Sequence, residues 1–292
     1  MNKIRFLTDS GCDLPAELIA KANIDIIPFS IECAGRIYRE GRDLTAFDLY
    51  DILENETALP THSQINAFEI VSHYGAAFDE GYTDMVVCFI SSTGSSTHTN
   101  AVMAKDMFYE DRPEAVGKFD IHVVDTRTYS MGYGWPVYQA ALMHRRGAGL
   151  SAVLAYLEDW FSQIEIYCGL YSLKHARKSG RLGGAASIIG EALGIRPVLS
   201  LIGGEVKQIA TVRGDKALIP ALVKVSKEKR RSGTQYIVLG GNLPGCSKEL
   251  EQAMKAACGE EYVGFYQLGP VVSINTGPRA IVTMVLGAPR TR

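Results

Sequence analysis

Several function classes are excluded by what the chain lacks. No apolar stretch approaches the roughly 20 residues needed to span a bilayer as a helix. Lys and Arg number 30 against 32 Asp and Glu, so the formal charge is -2, which offers no footprint for nucleic acid or an anionic membrane surface. The local cluster Lys224, Lys227, Lys229, Arg230 and Arg231 sits beside Leu222, Val223 and Val225, and reads as the wet end of a helix. Six cysteines, Cys12, Cys33, Cys88, Cys168, Cys246 and Cys258, form no CxxC pair; Cys88 and Cys168 lie inside apolar runs. The start, Met1–Phe6, has no secretory apolar core and runs straight into a strand, so a reduced, cytoplasmic protein is expected. The histidines lack paired ligand spacing, so no metal is expected. No repeat or low-complexity tract is present.

What is there is a globular composition, 47% hydrophobic and 21% charged in 292 residues, enough for one large or two ordinary domains. Its most informative stretch is Ser91-Ser92-Thr93-Gly94-Ser95-Ser96-Thr97-His98-Thr99, seven hydroxyls in nine positions. It follows the apolar run Met85–Ile90, which reads as a buried strand, and precedes a helical pattern starting near Asn100. One helix cap needs one or two such residues. The excess points to a polar ligand held by hydroxyls and backbone N–H groups.

Two further segments share that design. Ile4–Leu7 ends in Thr8-Asp9-Ser10-Gly11-Cys12-Asp13, where Asp9, Cys12 and Asp13 read as turn and capping residues, with Pro15 opening a helix over Glu17–Lys21. Ile121–Val124 ends in Asp125–Ser130 before a helix running to about His144. Strands alternating with helices predict a parallel sheet, whose ligands collect at the carboxyl ends of the strands. The composition breaks at residues 145–149, and Ser151 suits the cap of a new helix. Beyond it the pattern predicts a strand over Ile166–Leu173, a helix over Ala185–Leu193, a hairpin of Pro197–Ile202 and Val206–Val212, and a helix near Lys216–Arg231. A strand at Tyr236–Leu239, a helix at Lys248–Ala257 and strands at Tyr262–Gln267 and Ile281–Leu286 complete it. The expectation is an α/β protein of two α/β domains, 1–155 with a mainly parallel sheet and 156–292 with a mixed sheet.

Nucleotide and hydrolase chemistry find weaker support in the sequence. Gly240-Gly241-Asn242-Leu243-Pro244-Gly245-Cys246-Ser247 has P-loop glycine spacing, but Cys246 stands where the phosphate-binding lysine belongs and Pro244 removes an N–H. A tight turn into a helix starting near Ser247 is the better reading. Gly180-Arg181-Leu182-Gly183-Gly184 lacks the dinucleotide spacing. A serine hydrolase would use Ser95, with His62, His98 or His122 as base and Asp9 or Asp125 as orienter; the GxSxG elbow is absent and no spacing selects one trio.

The chain resembles the DegV family over nearly its whole length. Thr8-Asp9-Ser10-Gly11-Cys12-Asp13-Leu14-Pro15 matches the TDSxxDLP signature, and His62-Ser63-Gln64 occupies the Thr-Ser-Gln element. Ser91–His98 lies on the SSxLSGTY loop, and Val124-Asp125-Thr126 with Ser130-Met131-Gly132-Tyr133-Gly134 on the VDS…SMGxG stretch. Ser179-Gly180-Arg181-Leu182 with Leu193-Gly194-Ile195-Arg196-Pro197 follows GGRI…LNIKP, and Asn275-Thr276-Gly277-Pro278 lies on HTGPG.

The resemblance implies a fatty acid carrier with no cofactor, not a catalyst. The long-chain fatty acid would lie in an apolar tunnel near the domain interface. A separate kinase domain protein would phosphorylate its carboxylate, and the acyl phosphate would feed phospholipid synthesis. The carrier itself would be a monomer without nucleic acid or integral membrane insertion. Carried over by position, Ser63 and Ser95 contact the carboxylate, Ser96 and Thr97 close the loop, and Asn275 and Thr276 stand on the C-terminal motif. Arg181 and Arg196 fall on basic positions, either shaping the second-domain face or the kinase contact, or packing against carboxylates across the domain seam. The alternative of a hydrolase acting on a small ester or lipid stays open.

Three departures bear on the site. His62 replaces a threonine, Ser96 a glycine and Asn275 a histidine. Asn275 donates through its amide but carries no proton charge. His62 either restores an imidazole near the head group or is a surface residue. Arg279 replaces the motif's last glycine, as a cation near the head group or an exposed turn residue.

Overall fold

The computed structural model describes residues 2–55, 59–180 and 194–291. In chain order the elements are β1 (Ile4–Asp9), α1 (Ala16–Ala22), β2 (Ile24–Ile27), β3 (Ser30–Cys33), β4 (Arg36–Arg39), α2 (Ala46–Asn55), β5 (Thr61–Ser63), α3 (Ala67–Asp79), β6 (Asp84–Phe89), α4 (Thr97–Asp111), β7 (Asp120–Asp125), α5 (Met131–Arg145) and α6 (Leu150–Gln163). There follow β8 (Ile164–Leu170), α7 (Lys174–Ser179), β9 (Ile195–Ile202), β10 (Glu205–Arg213), α8 (Leu218–Lys229), β11 (Tyr236–Gly240), α9 (Pro244–Cys258), β12 (Tyr262–Gln267), α10 (Pro270–Thr276) and β13 (Ala280–Leu286).

The chain divides into two compact units. The first, residues 1–30 and 62–161, carries a parallel sheet in the order β2-β1-β6-β7. Every residue of β6 is buried, as a central strand covered on both faces requires. Helix α5 presses on the turn after β1: a Cβ added at Gly134 would stand 2.3 Å from the carbonyl oxygen of Cys12. Trp160 Nε1 donates to the Gly132 carbonyl at 2.9 Å and fastens α6 to α5.

The second unit, residues 31–61 and 162–292, carries a mixed sheet in the order β10-β9-β8-β13-β11-β12, in which only β11 and β12 pair in parallel. Its core joins Tyr167, Val198, Val238, Ile281 and Val285 of the sheet to Leu218 and Leu222 of α8 and Leu250 and Met254 of α9. The parallel first sheet and mixed second sheet are those expected from the sequence. The units themselves are not contiguous, unlike the expected 1–155 and 156–292. Residues 31–61 group with the C-terminal elements because Tyr50 Oη donates to the Leu268 carbonyl and the Val271 N–H donates to Glu40 Oε1 at 2.8 Å. A further small sheet has the order β4-β3-β5.

Local expectations are corrected at three places. Ser151 lies inside α6, one residue after its start, and does not cap it. Helix α9 begins at Pro244, not near Ser247, because proline suits a first helical position. β8 ends at Leu170, short of the expected Leu173. The expected helix over Ala185–Leu193 lies outside the described residues.

Candidate functional site

In the first unit β2 lies on one side of β1 while β6 and β7 lie on the other, so the strand order reverses between β1 and β6. Such a reversal opens a crevice at the carboxyl ends of the strands, the usual ligand position in open α/β sheets. The three polar loops leave β1, β6 and β7 there, side by side.

The hydroxyl loop is held from beneath by Asp9. Asp9, expected to be a turn or capping residue, stands at the N-cap of the short turn Ser10–Cys12 and is fully buried. It accepts from the Ile90 N–H at 2.8 Å, from Tyr133 Oη at 2.5 Å, and from the backbone of Gly11. Burial drives its carboxyl pKa up and those donors hold it back, leaving it pushed up to about 7. Gly11 is constrained here, since a Cβ would stand 3.1 Å from Tyr133 Oη and 3.2 Å from Asp9 Oδ1. The bond to Ile90 spans the reversal point and fixes where β6 releases the chain.

The loop is also anchored at β7. Ser92 donates through N–H and Oγ to Asp125, at 3.3 and 2.6 Å. Burial raises the Asp125 pKa, but the bonds from Ser92 and the Arg127 N–H, with the nearby His98 charge, outweigh it and hold the carboxyl below its ordinary value. The Ser91 N–H donates to the Thr128 carbonyl, and Ser91 Oγ lies 2.9 Å from Thr93 Oγ1. At Gly94 a Cβ would stand 2.7 Å from the Tyr129 ring, so glycine is what lets the loop lie against that side chain.

Beyond Gly94 the loop enters α4. Thr97 Oγ1, completely buried, accepts from the Ile65 N–H at 3.2 Å and lies 2.9 Å from Ser95 Oγ. Asn100 Nδ2 donates to the Ile65 carbonyl at 2.7 Å. These bonds bring the segment carrying His62 and Ser63 against the loop carrying Ser95 and Ser96. Thr97 is therefore the clasp between the two segments. Ser63 and Ser96 are exposed and Ser95 is half-buried, so these three hydroxyls remain within reach of a ligand. The His62 ring packs edge-on against Phe29, with centroids 6.0 Å apart, and is half-buried. The 15-residue α4 starts at this point, so the positive end of its dipole faces the same space.

The remaining sequence candidates lie in the second unit. Asn275 Nδ2 donates to the Val271 carbonyl at 2.8 Å, and Thr276 Oγ1 to the Val272 carbonyl at 3.2 Å, both within α10. Arg196 pairs with Asp215 of the same unit at 2.7 Å. Arg279 is exposed, and Arg181 lies outside the described residues. Ser95 Oγ is engaged by Thr97, not by an imidazole, so the nucleophile–base contact of a serine hydrolase is not formed there.

Sequence reasoning missed the supports: Asp9 as a buried acid, Tyr133 beneath it, and Asp125 as acceptor for Ser92. The available signal was an acid at the end of each of two apolar strands, adjacent in the sheet to a strand ending in serines.

The model of the DegV family, described as an uncharacterised protein family, matches residues 3–287. A DegV domain-containing protein of Clostridium perfringens is 30% identical over 224 residues, 77% of each chain. One of Caldanaerobacter subterraneus is 30% identical over 227 residues, 78% of each. Among solved structures, a DegV family protein from Thermus thermophilus described for fatty acid binding superposes with a TM-score of 0.85 at 26% identity, covering 98% of this chain and all of that one. A stearic-acid-binding protein from Eubacterium ventriosum gives 0.86 at 21% identity, covering 98% of both, a likeness of fold.

Proposed function

Because the chain belongs to the DegV family, we propose that it is a fatty-acid-binding carrier whose hydroxyl loop holds the carboxylate of a long-chain fatty acid. The observation that carries this reading is the pairing of accessible Ser95 and Ser96 at the α4 N-terminus with Ser63, through the Thr97–Ile65 clasp. Hydroxyls and a helix N-terminus suit an anion. The fatty acid binding of the Thermus thermophilus relative supplies the ligand class.

The carboxylate would sit at Ser63, Ser95 and Ser96, with Thr97 holding the loop and His62 beside it. Asn275 and Thr276, spent on α10's own carbonyls, are not needed by this reading. Burying the tail contributes about 0.8 kcal/mol per CH₂, while a hydrogen bond to the charged head contributes about 1.5–3 kcal/mol. The tail thus supplies most of the affinity and the hydroxyls fix the position of the head. A carboxylate so placed can be presented to a separate ATP-using kinase, which would convert it to an acyl phosphate.

Titration with a fluorescent fatty acid tests the assignment. Ser95→Ala is expected to weaken binding roughly 10- to 100-fold, the equivalent of one charged hydrogen bond. Affinity unchanged in a folded Ser95→Ala variant would place the head group elsewhere. Covalent labelling of Ser95 by a fluorophosphonate would favour the hydrolase instead.

A further inference from the structure

The second unit contains a cavity of about 410 Å³ lined by its own residues alone. It lies at the carboxyl ends of β8 and β11. Both strands run antiparallel to β13 between them, so their carboxyl ends meet at one edge, beside the turn that leads into β13. A volume of this size falls in the range of small-molecule pockets, about 300–1,000 Å³.

Its walls are built closely. The turn Gly277-Pro278-Arg279 is held on both sides: the Tyr171 N–H donates to the Arg279 carbonyl at 3.0 Å and the Asn242 N–H to the Pro278 carbonyl at 2.6 Å. A Cβ at Gly241 would stand 2.1 Å from the Pro278 oxygen, and one at Gly277 would stand 2.9 Å from His175 Nδ1. Gly241 therefore lets two segments approach by their backbones, and Gly277 lets the His175 ring lie against the turn.

The charge of the lining is specific. Lys174 and Arg279 both face the cavity, and among the described residues neither has a carboxylate within 4 Å. The one lining carboxylate, Glu54, accepts from Asn242 Nδ2 at 3.2 Å. Two cations thus face one acid that already has a donor. Ser172 adds a hydroxyl, and α9 starts beside Leu243, bringing the positive end of its dipole to the wall. Leu53, Leu243 and Pro278 supply apolar surface for an organic body.

We propose that this cavity binds a small phosphate monoester, its phosphoryl oxygens taken by Arg279 and Lys174 and its organic part lying on Leu53, Leu243 and Pro278. The planar guanidinium matches two phosphate oxygens in a fork, and the lysine adds a mobile point charge. Arg279 is needed for the fork, since a glycine at the same turn would leave Lys174 alone. The site is composed wholly of residues of the second unit and rests on no part of the fatty acid reading.

The ¹⁵N-labelled full chain titrated with phenyl phosphate at constant ionic strength tests it, with inorganic phosphate and acetate as parallel arms. Saturable shifts of the Lys174, Gly241 and Gly277 amides are expected, with acetate at least tenfold weaker. The Lys174→Gln/Arg279→Gln variant is expected to lose at least tenfold in affinity for phenyl phosphate. Glu54→Gln, which removes the opposing charge, is expected to bind several-fold tighter. Non-saturating shifts, acetate binding as well as phenyl phosphate, or Glu54→Gln binding unchanged or more weakly would overturn the assignment. None of these readouts needs an acyl ligand, so their failure is separable from failure of fatty acid binding.

Discussion

Asp9 shows how much of the site depends on one buried group. Its folded pKa of about 7 lies above the ordinary 3.8, so the native state binds the proton more tightly than the unfolded chain. The stability it contributes is fully present below the ordinary value and is lost as pH rises towards 7, a change of roughly 4 kcal/mol. In the ionised state the carboxylate still accepts from Ile90 and Tyr133, so the loop is kept in place at a cost in stability. Asp9→Asn is expected to flatten the pH dependence of the urea midpoint between about pH 4 and pH 7. A variant with the same slope as the parent would show that Asp9 does not titrate there. Gly94→Ala is expected to weaken fatty acid binding by displacing Tyr129, which a Cβ would meet at 2.7 Å. Fluorescent-probe affinity equal to the parent's would mean that the loop tolerates the shift.

Among the elements, those carrying the site were legible because their signals are local. β1, β6 and β7 are short apolar runs that end in polar loops, and the β9–β10 hairpin announces itself by Gly203 and Gly204, both at positive φ. Helix α3 carries a local signal too, since Asn66 caps it by accepting from the Glu69 N–H, an N-x-x-E pattern visible in the sequence. Its buried Ala67, Ile70, Tyr74 and Ala77 also recur at helical spacing. What sequence could not supply was the bonding between elements. Nothing local says that Thr97 clasps Ile65, or that Asn275 turns back onto Val271. The same applies to Gly241, whose importance arises from the Pro278 carbonyl far along the chain. Gly241→Ala places a methyl against backbone that cannot rotate away, so a loss of about 3 kcal/mol is expected in denaturant unfolding. A loss below about 0.5 kcal/mol would mean that the β11–β13 edge relaxes freely.

For the molecule as a whole, alternating strands and helices gave the class of fold, while the non-contiguous division depended on contacts such as Tyr50 with Leu268 that join distant stretches of chain. A carrier that encloses its ligand should also be stabilised by it. At a ligand concentration a hundredfold above Kd the gain is about 2.7 kcal/mol, which for a chain of this size raises Tm by about 4–5 °C. Delipidated protein is accordingly expected to melt lower and to recover on addition of a long-chain fatty acid; an identical Tm with and without it would count against enclosure. The most direct measurement of the central claim is mass spectrometry of an organic extract of the purified, denatured protein. The account predicts a long-chain fatty acid in near-equimolar amount. Recovery of no acyl chain, together with no binding of a fluorescent fatty acid by the same preparation, would contradict it.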